Sequence, residues 1–275
     1  MAFKVYWILF ALKVATCSCH ADRQAHDLER SSFKIKKIAD LPAEVDESSG
    51  LALAPNRSLW THNDSGGKPT LFRIDTLGNL LESRDLPIPN RDWEDLSAGP
   101  KGTLFVGDLG NNLQMRKDLV IWRLDSTQAP QGIYIDYADQ TSFPSSDPNF
   151  DCEAFFWHRD SLYLFSKDRN QKKPKTKLYR VSDQPGTYTL EPQASFSLNA
   201  QVTAADISPN GRHFALLTYG KVLIFAIKNR KISFDHPVQC IRTGRKQTEA
   251  LVFWDDQTLL ISNEQGKLFR LQVDL

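Results

Sequence analysis

DWEDLSAGPKGTLFVGDLGNN, residues 92–112, reads as an acid-bearing apolar strand, a Pro-Lys-Gly turn, a second apolar strand and a polar loop. The same order recurs along the chain. The turn-plus-strand portion PKGTLF (100–105) returns as PNRSLW (55–60), HRDSLY (158–163), PNGRHF (209–214) and DDQTLL (255–260). A further strand follows each copy: LFRID (71–75), IWRLD (121–125), LYRVS (178–182), IFAIK (224–228) and LFRLQ (268–272). Before each turn stands a segment with an acid or small polar group: ESSGLALA (47–54), WEDLSAG (93–99), CEAFFW (152–157), TAADIS (203–208) and TEALVFW (248–254). From residue 33 onward there is almost no helical periodicity, only short runs bounded by Pro, Gly, Asn and Asp, the mark of successive strands.

Acid to acid, the copies lie 43 to 59 residues apart. That is room for three or four antiparallel strands, and repeated sheets of this length are the blades of a β-propeller. GIYIDYAD (132–139) and TYTLEPQASFSL (187–198) read as outer strands of the second and third units. The fifth copy ends with its third strand at Leu275, and the alternating FKIKKIAD (33–40) is the natural donor of the missing one. Such a closure pins the two ends together and removes the open edge. The expectation is an all-β, five-bladed propeller over 33–275; six blades would need a hidden repeat in the long second unit.

Composition narrows the function. With 34 Lys and Arg against 33 Asp and Glu, the net charge is +1, which excludes the basic face of a nucleic-acid binder. The Lys-rich run at 171–177 contains Pro and no aromatics and reads as a solvated loop. At the N-terminus, Lys4 precedes the apolar run 5–12, and small residues follow Lys13. This is an export-signal pattern over 1–21, too short to span a bilayer. Cys17 or Cys19 is the candidate lipid-bearing residue, and cleavage after Ala21 is the alternative. The chain is therefore expected outside the cytoplasm: periplasmic, secreted or lipid-anchored at an outer membrane. A polar tether is expected over 22–32, and Cys152 and Cys240 are expected as buried free thiols, with no zinc spacing around them.

In a propeller blade the start of the first strand and the end of the second emerge on one face. At first-strand starts stand Glu47, Asp92 and Glu94, Glu153, Thr203 to Asp206, and Glu249. After second strands come His62-Asn63-Asp64, Asp108 with Asn111-Asn112, Lys167-Asp168, Tyr219, and Asn263-Glu264. Glu94, Glu153 and Glu249 align when counted back from their turns. Ala204 takes that place in blade four, with Asp206 two residues further on and Glu47 two residues early in blade one. A shift of two keeps a strand side chain on the same face, so all five acids are expected at the channel mouth. Asp95, one residue out of phase, is expected to point away. Converging carboxylates repel unless a cation or protons intervene, and oxygen donors with Asn carbonyls suit Ca²⁺. The competing reading is that the acids cap turns and backbone N–H groups.

His62 is a candidate general base, Lys167 and Arg116 are candidate anion holders, and Glu94 or Glu153 is the candidate water-activating carboxylate. Trp93, Trp157 and Trp254 are expected between blades, and Gly66, Gly67, Gly107 and Gly110 in turns. No nucleophile-elbow, zinc-protease or phosphate-loop motif is present.

Taken together, "ESSGLALAP", "LWTHNDSGG", "DWEDLSAGPKGTLFVGDLGNNLQMR", "DCEAFFW", "TAADISPNGRHFALLTY" and "TEALVFWDDQTLLISNEQG" resemble a family of exported, largely uncharacterised bacterial β-propeller proteins across residues 40–275. More distantly the chain is similar to phytase-like and esterase-like propellers and to calcium-dependent propeller hydrolases. The resemblance implies a channel calcium ion, for which Glu47, Asn63, Glu94, Asp108, Glu153, Asp206 and Glu249 are the candidates here. No convincing pair of catalytic histidines accompanies them. Two functions follow as expectations. One is a metal-dependent hydrolase of phosphate or ester substrates. The other is a non-catalytic propeller that binds a small molecule, glycan or protein at the same face. A metal that only stabilises the ring is a third possibility. A monomer is expected, touching a membrane only through a lipid anchor.

Overall fold

The computed structural model describes residues 19–28, 32–64, 66–170, 174–198, 200–244 and 247–275. Helix α1 (Cys19–His26) comes first, and strand β1 (Phe33–Asp40) next. Blade one follows as β2 (Ser48–Ala54), β3 (Ser58–Asn63), β4 (Thr70–Ile74) and β5 (Leu80–Asp85). Blade two is β6 (Trp93–Ala98), β7 (Leu104–Asp108), β8 (Leu119–Leu124) and β9 (Gln131–Tyr137). Blade three runs β10 (Asp151–Trp157), β11 (Ser161–Lys167) and β12 (Lys175–Ser182), then β13 (Gly186–Leu190) and β14 (Ala194–Ser197). Blade four is β15 (Val202–Ile207), β16 (His213–Thr218), β17 (Lys221–Ala226) and β18 (Pro237–Arg242). Blade five is β19 (Thr248–Asp255), β20 (Thr258–Asn263) and β21 (Lys267–Val273).

These form five sheets around a ring, as the repeat predicts, antiparallel throughout except where β13 joins the second. The first strands β2, β6, β10, β15 and β19 pack one against the next and line the channel. β1 pairs antiparallel with β21 from Phe33↔Val273 to Asp40↔Lys267, so the chain's start supplies the outer strand of its last blade. The apolar side chains collect into five cores, one between each pair of neighbouring blades. Phe105, Ile121, Phe155 and Leu164 join blades two and three, and Leu51, Leu59, Val252 and Leu260 join blades five and one. Each sheet is buried on both faces, which is why its inner strands read as nearly continuous apolar runs rather than strict alternation. Trp93 is fully buried between blades one and two.

Two segments differ from the sequence reading. Residues 187–198, expected as one outer strand, divide. β14 completes blade three, whereas β13 crosses to blade two and pairs parallel with β9, Gly186↔Ile133 to Leu190↔Tyr137. Both blades have apolar outer positions to cover, and a Pro between the two halves (Pro192) lets the chain turn from one to the other.

The second difference lies at the N-terminus. The expected tether over 22–32 is helical as far as His26, and α1 packs on β18. Cys19 forms a disulfide with Cys240, so Cys240 is not a free thiol. Asp22 and Lys221, both buried, form an ion pair at 2.7 Å, and Arg23 donates to the Cys240 carbonyl at 2.9 Å. His26 stacks on Phe196. A lipidated Cys19 has no thiol for a disulfide, and cleavage after Ala21 would remove Cys19, so neither alternative agrees with this structure. Cys17 and the rest of 1–18 lie outside the described residues. Cys152 is a buried free thiol as expected, pushed up to about 12 by burial and therefore inert at neutral pH.

Candidate metal centre at the channel mouth

Each channel strand carries a β-bulge near its start. The pairing jumps from Ser48↔Asn63 to Gly50↔His62, and from Cys152↔Ser166 to Ala154↔Phe165. In blade four it jumps from Val202↔Thr218 to Ala204↔Leu217, and in blade five from Thr248↔Asn263 to Ala250↔Ser262. In blade two it skips from Trp93↔Asp108 to Leu96↔Val106, leaving both Glu94 and Asp95 opposite Gly107. An extra residue re-aims its own side chain and shifts the phase of those before it. The equivalent positions are thus Ser49, Glu94, Glu153, Thr203 and Glu249. Four of them face the mouth, while Thr203 donates sideways to the Thr248 carbonyl at 2.9 Å.

The mouth is a small cavity of about 160 Å³ lined almost entirely by polar atoms. Among the described residues, six carboxylates enter it, from Asp64, Asp92, Glu94, Glu153, Glu249 and Glu264, against two cations, Lys167 and Arg169. Donor atoms of Asp64, Asp92 and Glu94 lie within 4.8 Å of one another, and so do those of Glu94, Asp151 and Glu153. Glu94 belongs to both sets.

The cations neutralise the second set. Lys167 pairs with Glu153 and lies 3.1 Å from the Tyr219 hydroxyl, and Arg169 pairs with Asp151 and, at 2.9 Å, with Glu153. Burial alone would lower the Lys167 pKa, but the Glu153 charge beside it wins and holds the ammonium protonated. Glu94 is different. It is only 6% exposed, and among the described residues no hydrogen bond or ion pair satisfies its carboxylate. Burial first, then the charges of Glu153, Asp151 and Asp64, push its pKa well above the usual carboxylate range. Burial and Glu153 do the same to Glu249 against the pull of Lys167. Glu264 is hydrogen-bonded to Glu249, and burial raises it to about 7.

A buried carboxylate among like charges is costly, and it is tolerated where a proton or a cation joins it. Oxygen is the only donor type that Asp64, Asp92 and Glu94 offer, which selects a hard cation over a thiophilic one. The backbone makes room for the set. Gly110 passes so close that a Cβ there would collide with the Asp92 and Glu94 carboxylates. Close approach, not turn geometry, therefore explains this glycine. Likewise a Cβ on Gly107, within β7, would strike the Phe155 ring at 2.7 Å. The acidic cluster can hold a metal ion.

Of the residues singled out from sequence, Glu94, Glu153, Glu249 and Lys167 do meet here. Asp108 and Arg116 lie behind the cavity. Asp108 is fully buried, accepts from the Arg91 and Asp92 backbone N–H groups at 3.3 and 3.1 Å, and pairs with Arg116 at 2.8 Å. Arg116 also holds Asp118 and the Gly110 carbonyl, so this pair positions Asp92 and Gly110 rather than binding an anion. His62 is fully buried with its ring edge against Trp93, and its Nδ1 lies 2.8 Å from the Asn63 carbonyl. Burial lowers its pKa to about 4, and it does not line the cavity, so it is a neutral packing group and not the base. Asn63 donates to the Glu44 carbonyl at 2.8 Å and is likewise outside the lining.

Glu47 sits exposed at the rim, where its backbone carbonyl accepts from Asp64 at 3.0 Å. Asp206 is at the opposite end of the channel, accepting from Phe253 N–H at 2.7 Å. Glu47 lies ahead of the bulge at the start of β2, whereas Asp206 follows Ala204 in regular pairing and is carried two residues further down the channel. The bulge in β6 reverses Asp95. It points inward, fully buried, and accepts from Leu96, Phe155 and Ala205 N–H groups at 2.8, 3.3 and 3.3 Å. Asp64, Asp92, Tyr219 and Glu264 were placed on the right face by sequence but not recognised as members of the cluster. Asp151 and Arg169 were missed. Each lies two residues from a recognised partner, Glu153 and Lys167, and that spacing was the available signal.

No family model and no curated protein matches this chain. Among solved structures it is similar to the PQQ-bound aldose sugar dehydrogenase of Streptomyces coelicolor, at 12% identity over 89% of this chain and 99% of that one, with a TM-score of 0.54. It is also similar to hydrazine synthase of Kuenenia stuttgartiensis, at 10% identity over 82% of this chain and 71% of that one, with a TM-score of 0.50. A gluconolactonase of Xanthomonas campestris aligns at 12% identity over 88% and 90% of the two chains, with a TM-score of 0.49. At these identities the likeness shows the propeller fold alone.

Proposed function

We propose that the protein is a calcium-dependent hydrolase of small ester or phosphate-ester groups, working outside the cytoplasm. The observation that carries the reading is Glu94: buried, crowded by the charges of Glu153, Asp151 and Asp64, and grouped with Asp64 and Asp92. Those three side chains would hold the ion, which when bound supplies Lewis-acid polarisation of a carbonyl or phosphoryl oxygen. Lys167, kept protonated by Glu153, places one fixed positive charge at the cavity wall. Glu249 and Glu264 are hydrogen-bonded to each other and share a proton. Glu264, the more exposed of the two and raised to about 7, takes the proton from an attacking water. The Cys19–Cys240 disulfide supports the extracytoplasmic assignment, because such bonds persist in oxidising compartments.

The test is metal analysis of the purified chain followed by turnover of aryl esters, lactones, phosphomonoesters and phosphodiesters with Ca²⁺ and with chelator. Calcium-dependent turnover lost in Glu94→Gln supports the proposal; bound calcium without turnover of any of these classes refutes the hydrolase. One observation favours a second reading, a non-catalytic propeller that binds a glycan or protein at this face. Both cations of the cavity are already engaged by carboxylates, and only about 160 Å³ remains for a substrate. Ligand binding that survives Glu94→Gln and Glu153→Gln would favour it.

A further inference from the structure

A second cavity, of about 440 Å³, opens at the other end of the same channel. All five channel strands contribute to its wall, among them Leu53 of β2, Ala98 of β6, Trp157 of β10, Asp206 of β15 and Val252 of β19. Asp95 stands between the two ends. By accepting from Phe155 and Ala205 N–H groups it ties β6 to β10 and to β15 across the ring, so the channel is closed there. The two cavities are therefore separate and chemically unlike. The mouth is lined by charge, whereas this funnel is lined by polar and apolar surface in about equal measure and has the size typical of a small-molecule site, roughly 300–1,000 Å³.

Two side chains give the funnel a direction. Trp157 is fixed at both ends, its backbone N–H donating to Ser97 Oγ at 2.8 Å and its indole N–H to Asp183 Oδ2 at 2.8 Å. Among the described residues Asp206 is the only acid in the lining, with Oδ2 anchored by Phe253 N–H at 2.7 Å. An oriented carboxylate and an aromatic side chain on the wall of one cavity are the groups that recognise an organic cation, through charge-assisted and apolar contacts. The cations of the lining are His158, whose pKa burial lowers, and Arg159, which is solvent-exposed at the rim and screened there.

We propose that this cavity binds a small organic ammonium, with an aromatic or apolar body in the funnel and its protonated amine against Asp206. The assignment does not depend on what the acidic mouth does. The test titrates the full chain with phenethylammonium, phenethyl alcohol and phenylacetate, which share a body and differ in head-group charge. Calorimetry and tryptophan fluorescence are read at about pH 8, above the value of about 7 to which burial raises Asp206, in chelator and again in saturating Ca²⁺. The ammonium should bind at least about tenfold more tightly than the alcohol, a difference of about 1.4 kcal/mol, with phenylacetate weaker still and both metal conditions alike. Asp206→Asn, which keeps an acceptor for Phe253, should lose that preference. Ala98→Leu should fill the cavity and abolish binding while calcium binding at the mouth is unchanged. Equal binding of amine and alcohol, preference for phenylacetate, no binding of any probe at millimolar concentration, or an Asp206→Asn protein that still prefers the amine would each overturn the proposal. If either variant fails to fold, the comparison of the three probes on the native chain decides alone.

Discussion

Replacing Glu94 by Gln should stabilise the metal-free protein and weaken the metal-bound one, and this crossing is the sharpest consequence of the site. In chelator, at a pH where it is ionised, Glu94 bears a desolvation cost and the repulsion of Glu153, Asp151 and Asp64 against the lesser pull of Lys167. An isosteric amide removes the charge, a relief of about 1–3 kcal/mol. At about 2–4 °C per kcal/mol for a domain of this size, Tm should rise by at least ~2 °C. With calcium the sign reverses. Losing one of three carboxylate ligands should weaken binding about 100-fold, or ~2.7 kcal/mol. At free Ca²⁺ one hundred times the native Kd, the native chain gains about 2.7 kcal/mol and the variant only ~0.4 kcal/mol. Thermal unfolding of both proteins in chelator and in Ca²⁺, with calorimetric Kd values, reads all four states. A variant less stable than the native chain in chelator would mean that Glu94 has a stabilising partner. An unchanged calcium shift would mean that it is not a ligand. Either result refutes the reasoning.

Three further predictions follow from the same structure. Gly110→Ala should push aside the Asp92 and Glu94 carboxylates and weaken calcium binding about tenfold, ~1.4 kcal/mol, with little change of Tm in chelator; undiminished affinity would show that the cradle is not needed. Metal-free stability should fall, not rise, between pH 5 and pH 8. Asp206 is raised by burial from 3.8 to about 7, so the folded chain holds the extra proton in that window. Its contribution is complete below pH ~4 and is lost as pH climbs to about 7, up to about 4 kcal/mol. Glu94, Glu249 and Asp95 act in the same direction and together outweigh His62, whose pKa of about 4 adds stability as pH rises to ~6.5. Asp75 and Asp125 are lowered below 3.8 and lose their stabilisation only in stronger acid. Unfolding scans in chelator that give a higher Tm at pH 8 than at pH 5 would contradict this. Finally, Cys240→Ser should cost about 2–4 kcal/mol, and a non-reducing peptide map of the exported chain should contain the 19–240 link; a mature N-terminus beyond Cys19 would exclude it.

Five copies of one strand pattern were enough to reveal a five-bladed ring, because each blade is a local unit whose turns and apolar runs are written in contiguous residues. The closure was legible for the same reason: FKIKKIAD alternates like a strand, and the last copy lacks one. So was the face on which Glu94, Glu153, Glu249 and Lys167 meet. What the ring does with those side chains was not legible. A bulge near the start of each channel strand, set by backbone pairing with the neighbouring strand, turns Asp95 inward, and position along the strand puts Asp206 at the far end. The crossing of β13 into blade two and the clasp of α1 by Cys240 join residues far apart in sequence, and no local pattern encodes such meetings. Periodicity is a property of neighbours along the chain and could be read from it. Phase, burial and charge balance at the mouth depend on residues that only the closed ring brings together.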